Sequence, residues 1–193
     1  MDDTTANGDL LHTHIPKGEV ILQVERLVKF FRSSAGWFTW NIAPIRAVDG
    51  VSFSIKAGET LGLVGESGCG KSTVGRMLVR LLEPTEGAIV FKDVDITLYS
   101  RKQLQAVRRN IQIIFQDPYA SLDPRKTVEK IIAEPLAIHD LYDTAKQRDR
   151  VVELMVLVGL NPEHRNRYPH EFSGGQRQRI GVARALALNP QVV

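Results

Sequence analysis

The sequence predicts an α/β fold organised around a phosphate-binding loop, and three neighbouring observations predict it. The run Gly65-Glu66-Ser67-Gly68-Cys69-Gly70-Lys71-Ser72-Thr73 fits G-x-x-x-x-G-K-[ST], a loop that wraps the phosphates of a nucleoside triphosphate. Directly before it, Thr60-Leu61-Gly62-Leu63-Val64 is a short apolar run of the kind that forms a buried strand. After it, Val74, Met77, Leu78, Leu81 and Leu82 recur at helical spacing until Pro84 ends the pattern. Strand, glycine loop and helix form the setting this motif requires. A glycine-rich surface turn would need neither flank.

Residues 1–18 are polar and acidic (Asp2, Asp3, Asp9), the opposite of a signal peptide, and are expected to form a disordered lead. Leu22-Gln23-Val24-Glu25-Arg26-Leu27 alternates imperfectly and leads to Lys29-Phe30-Phe31, which reads as a first strand. Trp37, Phe38 and Trp40 form an aromatic cluster in the next loop. The cluster is short and lacks a helical pattern, so it reads as a packed loop and not as a membrane anchor.

In the phosphate loop, Gly68 and Gly70 let the chain turn tightly so that successive N–H groups point inward. The helix starting near Lys71 adds its positive end to the same anion. Lys71 would hold the β- and γ-phosphates as a point charge, and the Ser72 hydroxyl would sit on Mg²⁺. Thr73 supports the helix start. Cys69 is expected to be the thiol-sensitive point of the chain and to be shielded by ATP, the alternative being that it turns inward and packs.

Farther along, Ile111-Gln112-Ile113-Ile114-Phe115 reads as a buried strand. Gln116 follows at its carboxyl end, near where phosphate sites lie in α/β sheets. Thr127 can cap a helix whose Val128, Ile131, Ile132 and Leu136 share a face, with Pro135 bending or ending it. Asp143 can cap a second helix carrying Val151, Val152, Met155 and Val158, closed by Gly159 and Pro162. Arg148 and Arg150 are expected to solvate its outer face. Ser173 then caps a helix through Ile180, Ala183, Leu186 and Ala187, up to Asn189-Pro190. Gly174 and Gly175 leave its N-terminus unshielded for an anion.

Composition agrees with an α/β protein. Apolar residues make up 43% and charged residues 24%, enough for a sizeable core. The longest apolar stretch, Leu154 to Leu160, is far too short to span a bilayer. The single Cys69 excludes an internal disulfide and suits a reducing compartment. A net charge of +3 reads as an ordinary solvated surface, with no nucleic-acid partner. There is no repeat, zinc spacing or low-complexity run.

Phe172-Ser173-Gly174-Gly175-Gln176-Arg177-Gln178-Arg179 resembles the signature sequence of ATP-binding-cassette (ABC) ATPases, with Phe172 in place of the usual Leu. Together with the phosphate loop (Walker A) and Gln116, it identifies the chain as similar to that family. Asp117-Pro118-Tyr119-Ala120-Ser121-Leu122-Asp123-Pro124-Arg125, Gly65–Gly70 and Ala47-Val48-Asp49-Gly50-Val51-Ser52-Phe53 look like the oligopeptide and dipeptide importer branch. The resemblance runs from about Val20 to Val193.

The resemblance implies an α/β P-loop NTPase core of the ABC ATPase type with an antiparallel β lobe. It places the cassette domain at 19–193 and a helical insert at about 118–172. By spacing within the family, Phe31 would stack on adenine, with Phe30 second. Gln116 would contact Mg²⁺ and the attacking water. Ser173, Gly174, Gly175 and Gln176 would lie against the γ-phosphate held by a second ATPase subunit, the same or different. Asp117 to Pro124 and the insert would meet the membrane permease subunits, at the cytoplasmic face, with an extracytoplasmic solute-binding protein acting indirectly. ATP hydrolysis would then drive peptide uptake.

Family members continue from Asn189-Pro190 into a hydrophobic strand that ends in the Walker B aspartate, followed by a catalytic glutamate and a switch histidine. No residue here matches these three; Glu171 precedes the signature. The expectation is a truncated subunit that binds ATP weakly without turnover and exposes sheet edges. Three alternatives stay open: a soluble cassette ATPase of the repair or translation type, a binding-only subunit, or an inactive fragment.

Overall fold

The computed structural model describes residues 15–31 and 44–193. Most of the expected disordered lead, and the cluster Trp37, Phe38 and Trp40, lie outside the described residues. The chain divides between Arg108 and Arg109 into two compact units.

The first unit contains β1 (Val20–Phe31), β2 (Ile45–Lys56), α1 (Lys71–Leu78), β3 (Glu86–Phe91) and β4 (Val94–Asp95). The helix α2 (Arg101–Asn110) follows. The strands form one antiparallel sheet in the order β2-β1-β3-β4. The broken alternation of β1 has a structural cause. Its register against β2 slips between Val24 and Leu27, and Arg26 between them takes φ 43°. An odd step along a regular strand changes face, so this bulge is what lets Val24 and Leu27 both be buried. The Arg26 N–H, displaced from the ladder, donates to Ser52 Oγ at 2.7 Å.

The helix after the phosphate loop is shorter than its apolar pattern. It ends at Leu78, because Arg80 adopts the left-handed conformation (φ 52°) and the Leu81 N–H turns back to the Arg76 carbonyl at 2.9 Å. Leu81 is consequently exposed.

The two expected buried strands do not form. Thr60–Val64 pairs with no strand among the described residues, and Leu61, Leu63 and Val64 are exposed, Val64 by 92%. Of Ile111–Phe115, Ile111 alone forms a bridge, parallel to Val192, with the Gln112 N–H on the Val192 carbonyl at 2.9 Å. Ile111 is buried while Phe115 is exposed. An apolar composition favours strand geometry, but a strand exists only through pairing with a neighbour.

The second unit is helical: α3 (Pro118–Ser121), α4 (Val128–Ile138), α5 (Thr144–Leu157) and α6 (Gly174–Leu186), with 3₁₀ turns at Pro162–Asn166 and Pro169–Glu171. Its core joins Val128, Ile131, Ile132 and Leu136 of α4 to Val151, Leu154 and Met155 of α5 and Ile180 and Ala183 of α6. Each such aliphatic side chain contributes about 1.5–3 kcal/mol on burial, so this cluster dominates the unit. Thr127 and Asp143 cap α4 and α5 as their types predict, accepting from the N–H groups of Lys130 and Lys146. Gly159, at φ 70°, follows α5. Pro135 neither ends α4 nor opens it; the helix continues to Ile138.

Arg148 and Arg150 do more than solvate a face. Arg148 pairs with Glu129 at 3.3 Å, and Arg150 pairs with Glu153 at 2.8 Å while donating to the Leu186 carbonyl at 3.4 Å.

Candidate functional site

In the first unit, the phosphate loop joins Val64 to α1 beside β2. Gly68 and Gly70 have φ 83° and 98°, a region that only glycine enters freely. At Gly70 a side chain is also sterically forbidden, since a Cβ would fall 2.1 Å from the Ala47 carbonyl oxygen of β2. Gly70 is the N-cap of α1 and has no side chain to satisfy the first helical N–H groups. Those groups stay open toward an anion, and the helix dipole favours one there.

Lys71 folds over the loop. Its Nζ donates to the carbonyls of Gly65 at 2.7 Å and Glu66 at 2.5 Å, and lies 3.5 Å from Cys69 Sγ. The ammonium therefore sits on the inside of the turn, where phosphate oxygens would replace carbonyl oxygens as acceptors. Glu66, Ser67 and Gly68 are exposed, as are Cys69 and Ser72, while Thr73 is half-buried. Cys69 does not pack inward. Exposure of Ser72 on the first turn gives one hydroxyl oxygen of the kind Mg²⁺ takes beside phosphate oxygens, so the residues present fit a nucleotide-bound Mg²⁺.

A cavity of about 340 Å³ opens against this loop, lined by Cys69, Gly70 and Lys71 together with Arg46, Val48 and Asp49 of β2. Phe31 ends β1 and is 40% exposed, whereas Phe30 is half-buried. Of the two rings, Phe31 offers more free surface to a purine. Lys29 stands over the Phe31 ring at 5.5 Å and Arg46 over Phe30 at 5.2 Å, Arg46 being directly cross-strand from Phe30.

In the second unit, Gln116 is exposed just before α3. Asp117 caps that short helix, accepting from Tyr119 N–H at 2.8 Å and Ala120 N–H at 3.3 Å. Asp123 forms the next turn and holds Arg125 through its backbone N–H, Nε and Nη2. Those hydrogen bonds keep the Asp123 carboxyl below the usual carboxylate range. The repeated Asp-Pro of this segment thus specifies two successive local turns.

Ser173 caps α6 in a reciprocal box: its Oγ accepts from Gln176 N–H at 3.3 Å, and Gln176 Oε1 accepts from Ser173 N–H at 2.9 Å. Ser173, Gly174, Gly175 and Gln176 are all exposed at this helix N-terminus. Phe172, the departure from the usual Leu, is buried in the helical core with its ring edge-on to His164.

The motifs do not announce the side chains that hold this second cluster together. Arg177, 8% exposed, donates to the carbonyls of Pro169 at 3.2 Å and Phe172 at 2.6 Å, stacks on Tyr119 at 3.9 Å and hydrogen-bonds its hydroxyl. Arg184 donates to the Ser121 carbonyl at 2.5 Å. Burial lowers the Arg184 pKa, with Glu134 opposing. The available signal was helical spacing, which places Arg177 and Arg184 on the face of Ile180. No spacing signal marks Arg46 and Asp49. The loop residues and Phe31 belong to one unit, Gln116 and the signature residues to the other.

A profile of the ABC transporter family matches residues 48–193. The chain is 55% identical over 176 residues to the oligopeptide transport ATP-binding protein AppF of Bacillus subtilis, covering 91% of this chain and 54% of that protein. It is likewise 55% identical over 179 residues to the glutathione import ATP-binding protein GsiA of Salmonella typhimurium, covering 93% of this chain and 29% of that one. The chain therefore spans about half the length of such relatives, or less. Among solved structures, the dimeric ATP-binding cassette MJ0796, in a post-hydrolysis state bound to ADP and Pi, aligns with a TM-score of 0.78 at 29% identity. That alignment covers 88% of this chain and 71% of that chain. The cbiO1 protein of Clostridium perfringens, part of an ABC transporter complex, aligns with a TM-score of 0.71 at 28% identity, covering 89% and 63%. A phosphate loop shaped by Gly68 and Gly70, a signature box at Ser173 and these matches lead to one conclusion: the chain belongs to the ABC transporter family and has its ATPase cassette fold.

Proposed function

We propose that this chain is the nucleotide-binding part of an importer motor subunit, coupling ATP hydrolysis to uptake of oligopeptides or dipeptides through separate permease subunits. The observation that carries the reading is the 55% identity to an oligopeptide transport ATP-binding protein across nearly the whole chain. The glutathione importer relative fits the same solute class, since glutathione is a tripeptide. The Asp117–Pro124 segment favours transport over a soluble cassette ATPase, because it resembles the oligopeptide and dipeptide importer branch.

Each residue has a role in this reading. Lys71 exchanges the Gly65 and Glu66 carbonyls for β- and γ-phosphate oxygens, and the open N-terminus of α1 holds the same anion. Ser72 would supply an oxygen ligand to a nucleotide-bound Mg²⁺, which would neutralise charge that develops on the phosphates, and the family resemblance assigns Gln116 to the same ion. Phe31 stacks on adenine, worth about 1–3 kcal/mol by analogy with base stacking elsewhere. Ser173, Gly174, Gly175 and Gln176 serve the nucleotide of a second ATPase subunit, so two subunits share two sites. Tyr119 and the helical unit face the permease, with the solute-binding protein acting on its far side. No helix among the described residues is long and apolar enough to cross a membrane; the peripheral, cytoplasmic-face location proposed here rests on the relatives being ATP-binding proteins of transporters.

The test is uptake of a labelled tripeptide into proteoliposomes holding the permease and the ATPase subunit that contains these residues. Lys71→Ala should abolish ATP-driven uptake, because losing a charge held on phosphate costs about 2–5 kcal/mol. ATP hydrolysis that is indifferent to the permease, with no peptide uptake, would refute the transporter assignment.

A further inference from the structure

We infer that Arg46 is an additional nucleotide-binding residue, a cation that takes the α-phosphate, and that Asp49 is the partner it exchanges for that anion. This rests on the reading of the loop as an ATP site and extends it to β2.

Arg46 reaches two places at once. Its guanidinium stands 5.2 Å above the Phe30 ring, directly cross-strand and one residue from Phe31. It also lines the cavity that contains Cys69, Gly70 and Lys71. With the base at Phe31 and the β- and γ-phosphates at Lys71, the parts of the nucleotide left between them are the ribose and the α-phosphate. The ribose is neutral, whereas the α-phosphate presents anionic oxygens that match the planar donors of a guanidinium.

Asp49 explains the resting state. Its Oδ2 lies 3.3 Å from Arg46 Nη1, and the two side chains are 62% and 65% exposed. Exposed pairs of this kind are weak, so Arg46 can trade the carboxylate for phosphate at little cost. Asp49 lines the same cavity and, without Arg46, would set a negative charge against an entering triphosphate. The pair therefore carries opposite expectations for its members: Arg46 favours the nucleotide and Asp49 opposes it.

The experiment is calorimetric titration of the whole 193-residue chain with ATP and with ADP. Arg46→Ala should weaken both ligands by the same factor, about five- to ten-fold, because both carry the α-phosphate. Asp49→Asn should tighten both about two- to three-fold, a gain that a purely structural role for the pair would not produce. Unchanged ATP affinity in Arg46→Ala, or weakened affinity in Asp49→Asn, would overturn the assignment while Lys71→Ala still loses binding. If the unsubstituted chain does not bind ATP, or Lys71→Ala leaves binding intact, the loop reading itself fails and Arg46 with it.

Discussion

Lys71 and Cys69 share the inside of one turn, and the exposure of Cys69 bears on its chemistry. The thiol is open to solvent and its Sγ lies 3.5 Å from the Lys71 ammonium. A nucleotide drawing Lys71 toward its phosphates would cover that thiol, because the cavity wall includes both residues. N-ethylmaleimide should therefore label Cys69 readily in the free protein, with Mg–ATP slowing the reaction at least several-fold. Labelling that ATP fails to slow would place Cys69 outside the nucleotide's footprint. At this scale the local backbone of the candidate site was legible. Gly68 and Gly70 have the left-handed backbone that their spacing implies, and Ser173 caps as a serine before a helix should. Arg46 was not legible, because its place beside the loop depends on β2 lying against β1.

At the scale of elements, α6 and the segment after Gln116 are linked side by side. Arg177 fastens Phe172, the residue before the signature serine, to Tyr119, which lies 58 positions before Arg177 in the chain. Arg184 adds a second tie to Ser121. Arg177→Ala would take from the buried Phe172 carbonyl its Arg177 donor, leave the Pro169 carbonyl with the Phe172 N–H alone, and remove the stack on Tyr119. The expected cost is about 1–3 kcal/mol, the range for one buried polar group left unpaired. A urea titration measures it as a lower midpoint. Tyr119→Phe, which keeps the ring and loses only the hydroxyl, should cost less than half as much. Equal costs would mean that the hydroxyl bond, and not the stack with the carbonyl contacts, carries the link.

At the scale of the whole molecule, the chain holds two compact units, and the helical one has a core of its own. All residues of that core, from Leu122 to Leu188, fall after the division at Arg109. A polypeptide of residues 109–193 should accordingly keep a helical circular dichroism spectrum and melt cooperatively without the first unit. A spectrum of unfolded chain, or a featureless melt, would show that its stability depends on residues 1–108.

The sequence by itself determined what depends on neighbours within a few positions. The phosphate loop and the caps Thr127, Asp143 and Ser173 all follow from backbone demands that a short segment states in full. Only the tertiary structure decided what needs a distant partner. Thr60–Val64 has a strand's composition yet no strand, because β structure resides in the pairing and no described residue pairs with it. The bulge at Arg26, the end of α1 at Arg80, the Arg177 stack and the position of Arg46 were equally hidden. Each is fixed by contacts between segments far apart in sequence, which local propensity cannot encode.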